Sequence, residues 1–295
     1  MIKEDGQLIA VIANEIISAR HKLDTRQQKI IAWALGQTAR DDSDFLTHKL
    51  SIAEFAKLTG SESGSLYSEM EAVTKSLLRS IVELKIDDGD RRRVVFQWLS
   101  RCVYRDGAGT VELRFHDELK PYLLELRTRF TQLRLERFFK FRSAYTIRFY
   151  ERIEMQRGLK QQTWTMPLDE LRSWLGIDQE SYEKFGLFRK RVLEAAQTEL
   201  DIRSDFSFSY QMVKTGRKVT GIQFTLRPAR APKVVPNRDR WKKLDDATRT
   251  AVLAEARKAV RWEGEADESI LADEGFWPRL PDLLDRVAGQ RTFEP

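Results

Sequence analysis

Residues Ser181 to Asp201 read SYEKFGLFRKRVLEAAQTELD and carry the pattern that decides the fold. Apolar side chains recur there at three- and four-residue spacing, which predicts a helix with one buried face, at Phe185, Phe188, Val192, Ala196 and Leu200. Four cations lie off that face: Lys184, Arg189, Lys190 and Arg191. A shorter amphipathic helix is predicted just before it, from Leu168 to Ile177, with Gly176 at its end. A short helix, a turn and a longer basic helix is the order of a helix-turn-helix motif.

Two segments after this helix alternate apolar and polar residues in the manner of half-buried strands, Ser207 to Val213 and Val219 to Leu226. Between them lies the turn segment Lys214 to Lys218, with Lys214, Arg217 and Lys218 as its cations. A basic hairpin after a recognition helix is typical of a winged helix. We therefore expect the helix to enter the major groove of DNA and the hairpin tip to contact phosphates or the minor groove.

The composition is that of a water-soluble protein with a mild preference for polyanions. The chain has 295 residues, 41% hydrophobic and 33% charged, with a formal net charge of +6. That length accommodates two ordinary domains, and no apolar run is long enough to span a bilayer. The sequence shows no secretory signal, and its single cysteine, Cys102, suits a reducing compartment, so we expect a cytoplasmic bacterial protein.

An earlier stretch repeats the helix-turn-helix pattern. Ile52, Phe55, Leu58 and Gly60 stand 116 positions before Leu168, Leu171, Trp174 and Gly176, and the apolar positions from Tyr67 to Ile81 stand 115 positions before those from Tyr182 to Ala196. The segment from Arg92 to Tyr104 and the one from Thr110 to Phe115 would form the corresponding hairpin. The sequence therefore predicts a second winged helix, in which Lys75 and Arg79 are the basic residues of the recognition helix and contact the DNA backbone more than they read bases.

The segment between the two units, residues 127–142, carries six basic groups against one acid and is predicted to be a basic helical linker. Its proposed DNA contacts are Arg127, Arg129, Arg134 and Arg137. After Arg227 the composition changes to a proline-containing tether and then to a helical tail with an acidic end. We expect this acidic end either to cover the DNA-binding surface, gripping it through Trp277, Leu280, Leu283 and Leu284, or to be a solvated appendage.

These features together resemble the iteron-binding initiators of plasmid replication, a superfamily with two winged-helix domains in one chain. The matching segments are NEIISARHKLDTRQQ at 14–28, FRSAYTIRFYERI at 141–153, and the segments 168–177, 182–200 and 214–224, which together span roughly residues 9 to 227. The chain departs from the family pattern at Ala195-Ala196, where the family often has a proline, and in the tail from Pro228, which has no counterpart.

The resemblance implies an α+β, mainly helical fold of four parts. These are a first winged-helix domain at 9–126 for dimerisation and backbone contact, the linker at 127–142, a second winged-helix domain at 143–227 for sequence-specific binding, and a tail at 228–295 of unknown role. It further implies a protein that binds repeated origin sites as a monomer, promotes origin opening, loads the host initiator and helicase machinery, and represses its own gene as a dimer.

No catalytic site, metal site or cofactor is predicted. His21, His48 and His116 are isolated and lack metal-ligand spacing, and no phosphate-binding GxxxxGK[ST] loop exists. Tyr145 and Tyr150 have apolar neighbours, which favours core packing over a role as nicking nucleophiles. The main alternative function is a dimeric transcriptional repressor with no role in initiation, which would prefer an inverted repeat rather than direct repeats.

Overall fold

The computed structural model describes residues 3–4, 7–38, 44, 47–59, 66–87, 91–105, 107–124, 126, 129–178, 181–230, 241, 244–258, 267–272, 276–280, 283–284 and 287. The chain divides into two compact units, Met1–Ala229 and Arg230–Pro295.

The first unit contains helices and strands in almost equal measure. Its strands are β1 Lys3–Glu4, β2 Gln7–Ala13, β3 Arg20–His21, β4 His48–Ser51, β5 Ile81–Asp87, β6 Arg91–Gln97, β7 Leu99–Arg105, β8 Thr110–Phe115, β9 Phe130–Arg134, β10 Thr163–Pro167, β11 Phe206–Thr215 and β12 Lys218–Pro228. Its helices are α1 Asn14–Ser18, α2 Thr25–Leu35, α3 Ile52–Thr59, α4 Leu66–Leu78, α5 Lys120–Leu123, α6 Leu135–Phe138, α7 Ala144–Gly158, α8 Leu168–Trp174, α9 Phe185–Phe188 and α10 Ala195–Arg203. A 3-10 turn lies at Asp117–Leu119 and a π-helical turn at Arg189–Glu194.

The same winged-helix arrangement occurs twice in this unit. In the first copy a strand, two helices and a hairpin follow one another as β4, α3, α4, β7 and β8, and the sheet order is β4-β8-β7. In the second copy β10, α8, the helix from α9 to α10, β11 and β12 give the equivalent sheet order β10-β12-β11. The internal repeat predicted from apolar spacing is thus confirmed, because the equivalent elements have the same order and the same pairing.

The first copy differs from the prediction where the hairpin β5–β6 is inserted. Ile81 was expected on the recognition helix, but α4 ends at Leu78 and Ile81 begins β5 with 48% of its surface exposed. The single strand expected from Arg92 to Tyr104 is also wrong. It breaks at the buried Trp98, so that β6 pairs with β5 whereas β7 pairs with β8. Val82, Leu84 and Ile86 alternate with charged residues, which is the strand pattern that the helical interpretation passed over.

The start of α2 is fixed by a polar cap. Asp24 caps the helix by accepting the backbone N–H of Gln27 at 2.8 Å, and the Gln27 side chain accepts the backbone N–H of Asp24 at 2.9 Å. This reciprocal capping satisfies two N–H groups that the first helical turn leaves without a partner. The helix that it begins is buried along most of its length between the two copies.

The basic helical linker predicted for residues 127–142 is wrong in its secondary structure. Residues Phe130–Arg134 form β9, which pairs antiparallel with β2, and only one helical turn, α6, follows. Thr131 and Leu133 are buried whereas Gln132 and Arg134 are exposed, so the period is two rather than 3.6. Pairing with β2 also supplies the backbone hydrogen bonds that an isolated segment would lack.

Buried polar contacts join the two winged helices within residues 1–229. The Trp174 indole N–H donates to the carbonyl of Ile17 at 2.8 Å, and the Arg148 guanidinium donates to the same carbonyl at 3.1 Å and to that of Ala19 at 2.8 Å. Arg148 also pairs with Glu151 at 2.7 Å. Because Trp174 lies on α8 of the second copy and Ile17 lies on α1, the second copy is hydrogen-bonded to the backbone of the N-terminal half of this unit.

The second unit has its own apolar core around helix α11, Asp246–Arg257, and helix α12, Asp267–Ala272. Trp277, Leu280, Leu283 and Leu284 are buried in that core together with Val252, Ala256, Ile270 and Phe276. The expectation that Trp277, Leu280, Leu283 and Leu284 bind another surface is therefore wrong, since these side chains form the core of their own unit. Their spacing in the sequence does not distinguish an internal core from a docking face.

Candidate nucleic-acid interface

The recognition helix of the second copy runs from Phe185 to Arg203 and contains a π-helical turn. Four of its fully buried residues, Phe188, Val192, Ala196 and Leu200, are spaced by four, and Leu193 is buried beside them. On a regular helix each step of four overshoots one turn by about 40°, so three steps drift by about 120°. In the π-turn, hydrogen bonds run five residues apart and widen the helix. The wider turn absorbs part of the drift and keeps all four side chains on the core.

The predicted cations of this helix are all on its outer side. Lys184 lies just before the helix, and Arg189, Lys190 and Arg191 lie within the π-turn, all exposed. Arg189 is set apart from the others because its Nε lies 3.2 Å from the carboxylate of Glu194. For Lys184, Lys190 and Arg191 the described part of the chain contains no ion pair, so they are available to an external anion.

Two residues hold the turn before this helix: Gly176, which the sequence places at the end of the short helix, and Arg172, which sequence reasoning missed. The Arg172 guanidinium donates to the carbonyls of Ser181 at 3.0 Å and Tyr182 at 2.7 Å and lies over the Phe188 ring at 4.8 Å. Gly176 has φ +66, and a Cβ there would lie 2.7 Å from the carbonyl oxygen of His21. Only glycine allows this approach without strain. Arg172 therefore positions the entry to the helix, and Gly176 allows the turn to pass close to the first copy.

The wing is longer and more exposed than predicted. Strands β11 and β12 continue to Thr215 and Lys218, which pair with each other across a two-residue turn, Gly216-Arg217. Every residue from Gln211 to Lys218 is exposed, so the hairpin extends beyond the core. Lys214 and Lys218 thus lie on the strands and Arg217 lies at the tip. This geometry places three cations on a projecting arm, as contact with a phosphate backbone requires.

The first copy offers fewer free cations than the second. Lys75 on α4 forms an ion pair with Glu71 one turn earlier at 2.6 Å, and the hydrogen bond to Glu71 raises the pKa of Lys75 above its usual value. Arg79 follows the end of α4 and is exposed. Glu71 thus offsets the charge of Lys75, and Arg79 lies only at the end of the helix. Both observations are consistent with the expectation that this copy contributes less to sequence discrimination.

The arginines of the segment predicted as a linker have different surroundings. Arg134 and Arg137 both face Asp205, at 3.6 and 2.7 Å, so one carboxylate already offsets their charge. Arg129 is exposed and has φ 56 at the start of β9. Arg127 lies outside the described residues. Their assignment as DNA contacts stays a prediction, and the two Asp205-paired residues are the weaker candidates.

The residues weighed for catalysis have structural roles in the fold. His21 is buried against Trp98 at 5.3 Å between ring centroids, His48 contacts Thr38, and His116 caps the turn at Asp117–Leu119. Burial raises the pKa of the Tyr150 hydroxyl, which lies 3.2 Å from the backbone nitrogen of Arg134. Burial and Tyr182 raise the pKa of Tyr145 to about 12. Among the described residues no group of three His, Cys, Asp or Glu side chains is arranged to hold a metal ion, and no helix has the length and hydropathy of a membrane span.

Two winged helices of one topology, one of them with an exposed cationic helix and an exposed cationic wing, are the arrangement of a DNA-binding protein. The sequence matches the signature of "Initiator Replication protein, WH1" over residues 9–154 and that of "Initiator Rep protein, WH2" over residues 167–226. Together the two signatures cover well over half of the chain, which therefore belongs to the family of initiator replication proteins.

A solved structure agrees with this at the level of the fold. The Pi initiator protein, crystallised in complex with iteron DNA, is 19% identical with a TM-score of 0.61, and the match covers 76% of this chain and 98% of that one. The WH1 domain of a replication protein isolated from a multiple sclerosis patient is 20% identical over 40% of this chain and 86% of that one, with a TM-score of 0.29. Only the first of these two similarities is close enough to bear on the arrangement of both domains.

Proposed function

We infer that this protein initiates replication without chemistry of its own, by binding repeated double-stranded sites in an origin and promoting the opening of adjacent DNA. The observation that carries this is the pair of winged helices hydrogen-bonded into one unit through the indole of Trp174 and the carbonyl of Ile17. Two DNA-binding domains fixed to each other recognise a longer site than either alone. The distance between them fixes the spacing of the two major-groove segments that they contact.

The division of labour between the two copies follows from their charges. The second copy carries Lys190 and Arg191 unpaired among the described residues, Arg189 beside Glu194, and a cationic wing, so it provides sequence discrimination and most of the phosphate contacts. The first copy, in which Lys75 is paired with Glu71, contacts the DNA backbone. The solved Pi initiator, which has the same two-domain fold, is in complex with iteron DNA, and this supports direct repeats as the target.

The proposal extends to a dimer of this chain that represses its own gene, and to host initiator and helicase proteins as partners. A dimer has two-fold symmetry and recognises an inverted repeat, whereas a monomer with two linked readers recognises a direct repeat in one orientation. One chain can thus address two kinds of site according to its oligomeric state.

The experiment is a nuclease footprint of the full-length protein on the DNA that flanks its own gene, followed by measurement of the mass of each complex. Initiation predicts several protected sites in the same orientation, each holding one protein molecule. Protection of a single inverted repeat by a dimer, with no directly repeated sites, would contradict the initiator function and leave a repressor.

A further inference from the structure

The acid at the end of the π-turn lies beside one of the three cations of the recognition helix. The Glu194 Oε1 atom lies 3.2 Å from Arg189 Nε, and the Tyr210 hydroxyl on β11 lies 3.5 Å from the same oxygen. On a regular α-helix, residues five apart point about 140° away from each other. The π-turn brings the two side chains together, so the ion pair exists only because the helix is widened at this place.

The contact uses one edge of the guanidinium and leaves the other free. Arg189 and Glu194 are about equally exposed, at 46% and 45%, so both are accessible to DNA laid along the helix. With Nε beside Glu194, the two terminal nitrogens of Arg189 have no partner among the described residues. Two N–H groups in a fixed fork are the donor set that matches O6 and N7 of guanine.

We propose that Glu194 is a specificity-determining residue that orients Arg189 for end-on recognition of one guanine in the major groove, while Lys190 and Arg191 contact phosphates. This rests on the proposed function, since it requires sequence-specific binding of double-stranded DNA. In water the exposed ion pair is weak, but it becomes stronger when DNA excludes the solvent. The pair also reduces the number of Arg189 rotamers before binding, which lowers the entropic cost of forming the base contact.

Its contacts distinguish Glu194 from Glu183, an acid just before this helix. Glu194 contacts both the cationic turn and Tyr210 at the base of the wing. Burial is the main cause that raises the pKa of the Tyr210 hydroxyl, and the charge of Glu194 raises it further. Glu183, just before the helix, is exposed and has no ion pair among the described residues. A charge-removing change at Glu183 is therefore a matched control for the same change at Glu194.

The test is selection of binding sites from random double-stranded DNA by the full-length wild-type protein and by the variants Glu194→Gln, Glu183→Gln and Arg189→Ala. We expect the wild type and Glu183→Gln to enrich the same site. Glu194→Gln and Arg189→Ala should both lose preference for guanine at one and the same position, by about tenfold in affinity ratio.

Replacement of that guanine by 7-deazaguanine tests the contact without altering the protein. The wild type should lose about tenfold in affinity, whereas Arg189→Ala, which lacks the contact, should be insensitive. If the wild type enriches no site, the proposed function fails and this inference fails with it. If a site is enriched but Glu194→Gln retains the guanine preference, or only binds all DNA more tightly because a negative charge is lost, the orienting role alone is overturned.

Discussion

The indole N–H of Trp174 donates to the main-chain carbonyl of Ile17 at 2.8 Å, joining a side chain at the end of α8 to the backbone of α1, 157 positions earlier. Trp164, on β10 of the same winged helix, is also buried, but its indole N–H has no hydrogen-bond partner among the residues that the structure describes. The two tryptophans therefore differ in a buried hydrogen bond to the N-terminal half of the unit.

The first prediction compares phenylalanine at these two positions. Trp174→Phe should reduce the free energy of unfolding by about 1 to 2 kcal/mol more than Trp164→Phe, because only the first change removes a buried hydrogen bond. Urea unfolding of both variants measures the difference. Equal losses would show that the Trp174 bond adds nothing beyond the packing of the ring.

The second prediction concerns the cationic turn. Replacing Arg189, Lys190 and Arg191 together by alanine should abolish specific binding and leave the fold intact, since all three side chains are exposed and alanine favours helix. Gel shifts on the selected site measure binding, and circular dichroism checks the helix content. Near-normal affinity in the folded triple variant would exclude this helix as the reader.

The third prediction concerns salt. Replacing Lys214, Arg217 and Lys218 by glutamine should weaken binding to all sequences and reduce the slope of log affinity against log salt by about 2.7, if each contact contributes about 0.9. The double variant Arg134→Gln, Arg137→Gln should reduce the slope by less than the loss of two phosphate contacts would, because Asp205 already faces both arginines. Affinity titrations over a range of salt concentrations test both. An unchanged slope in the wing variant would mean that the wing does not contact phosphates.

The fourth prediction concerns Lys29, which lies in a pocket of about 230 Å³ beside Arg142. Burial is the main cause that lowers its pKa from 10.5 to about 8, with Arg203 and Arg142 adding to the effect and Glu199 opposing it. Because the folded-state pKa is the lower one, the unfolded chain binds more protons between pH 8 and 10.5, and stability rises with pH through that interval.

Relative to Lys29→Met, the wild type should therefore gain on the order of 1 to 2 kcal/mol from pH 8 to 10. This is less than the full linkage value, because the open pocket screens the charge. Urea unfolding at several pH values measures it, with Lys57→Met on the exposed face of α3 as the control for loss of a lysine. A difference that does not change with pH would show that Lys29 is solvated like a surface lysine.

The fifth prediction concerns the second unit, whose core is separate from that of residues 1–229. Ending the chain at Ala229 should remove one small calorimetric transition and leave the main one within about 2 °C, since no residue of the larger core is lost. A large fall of the main transition would show that the two units stabilise each other. Truncation at residue 263 is a poorer test of whether the acidic end covers the DNA-binding surface, because it would also expose the core residues Val252 and Ala256.

Apolar spacing in the sequence predicts the parts of this fold in which one face of an element is buried against one core. The helix through Val192 and the wing through Phe224 were predictable for this reason. The same reasoning failed at Leu133 and Ile81, because a short segment with two or three apolar residues fits a strand and a helix equally well until its partner strand is known.

The candidate site was predictable in residue type but not in geometry. Exposed cations off the apolar face could be identified at Arg189, Lys190 and Arg191. The sequence could not show which of these three cations has an acidic partner. Glu194 reaches Arg189 only through a π-turn, and the sequence signal of that turn is a repeated spacing of four. Arg172 was missed because it acts on backbone carbonyls, which leave no pattern in the sequence.

That spacing has a consequence for how recognition changes between related chains. A chain with one residue fewer between Phe188 and Ala196 would have ordinary helical spacing, and it would form a regular helix on the same core. Phe188 and Ala196 would keep their places on the core, so the residues between them would share the loss of one residue's rotation, about 100°, and the exposed cations would shift relative to the wing by part of that angle. With the missing residue between them, Arg189 and its acid would stand four positions apart, a spacing at which a regular helix also holds an ion pair. The loss of a single codon is thus a route by which one lineage of this family can come to address a different DNA sequence while its interior stays as it was.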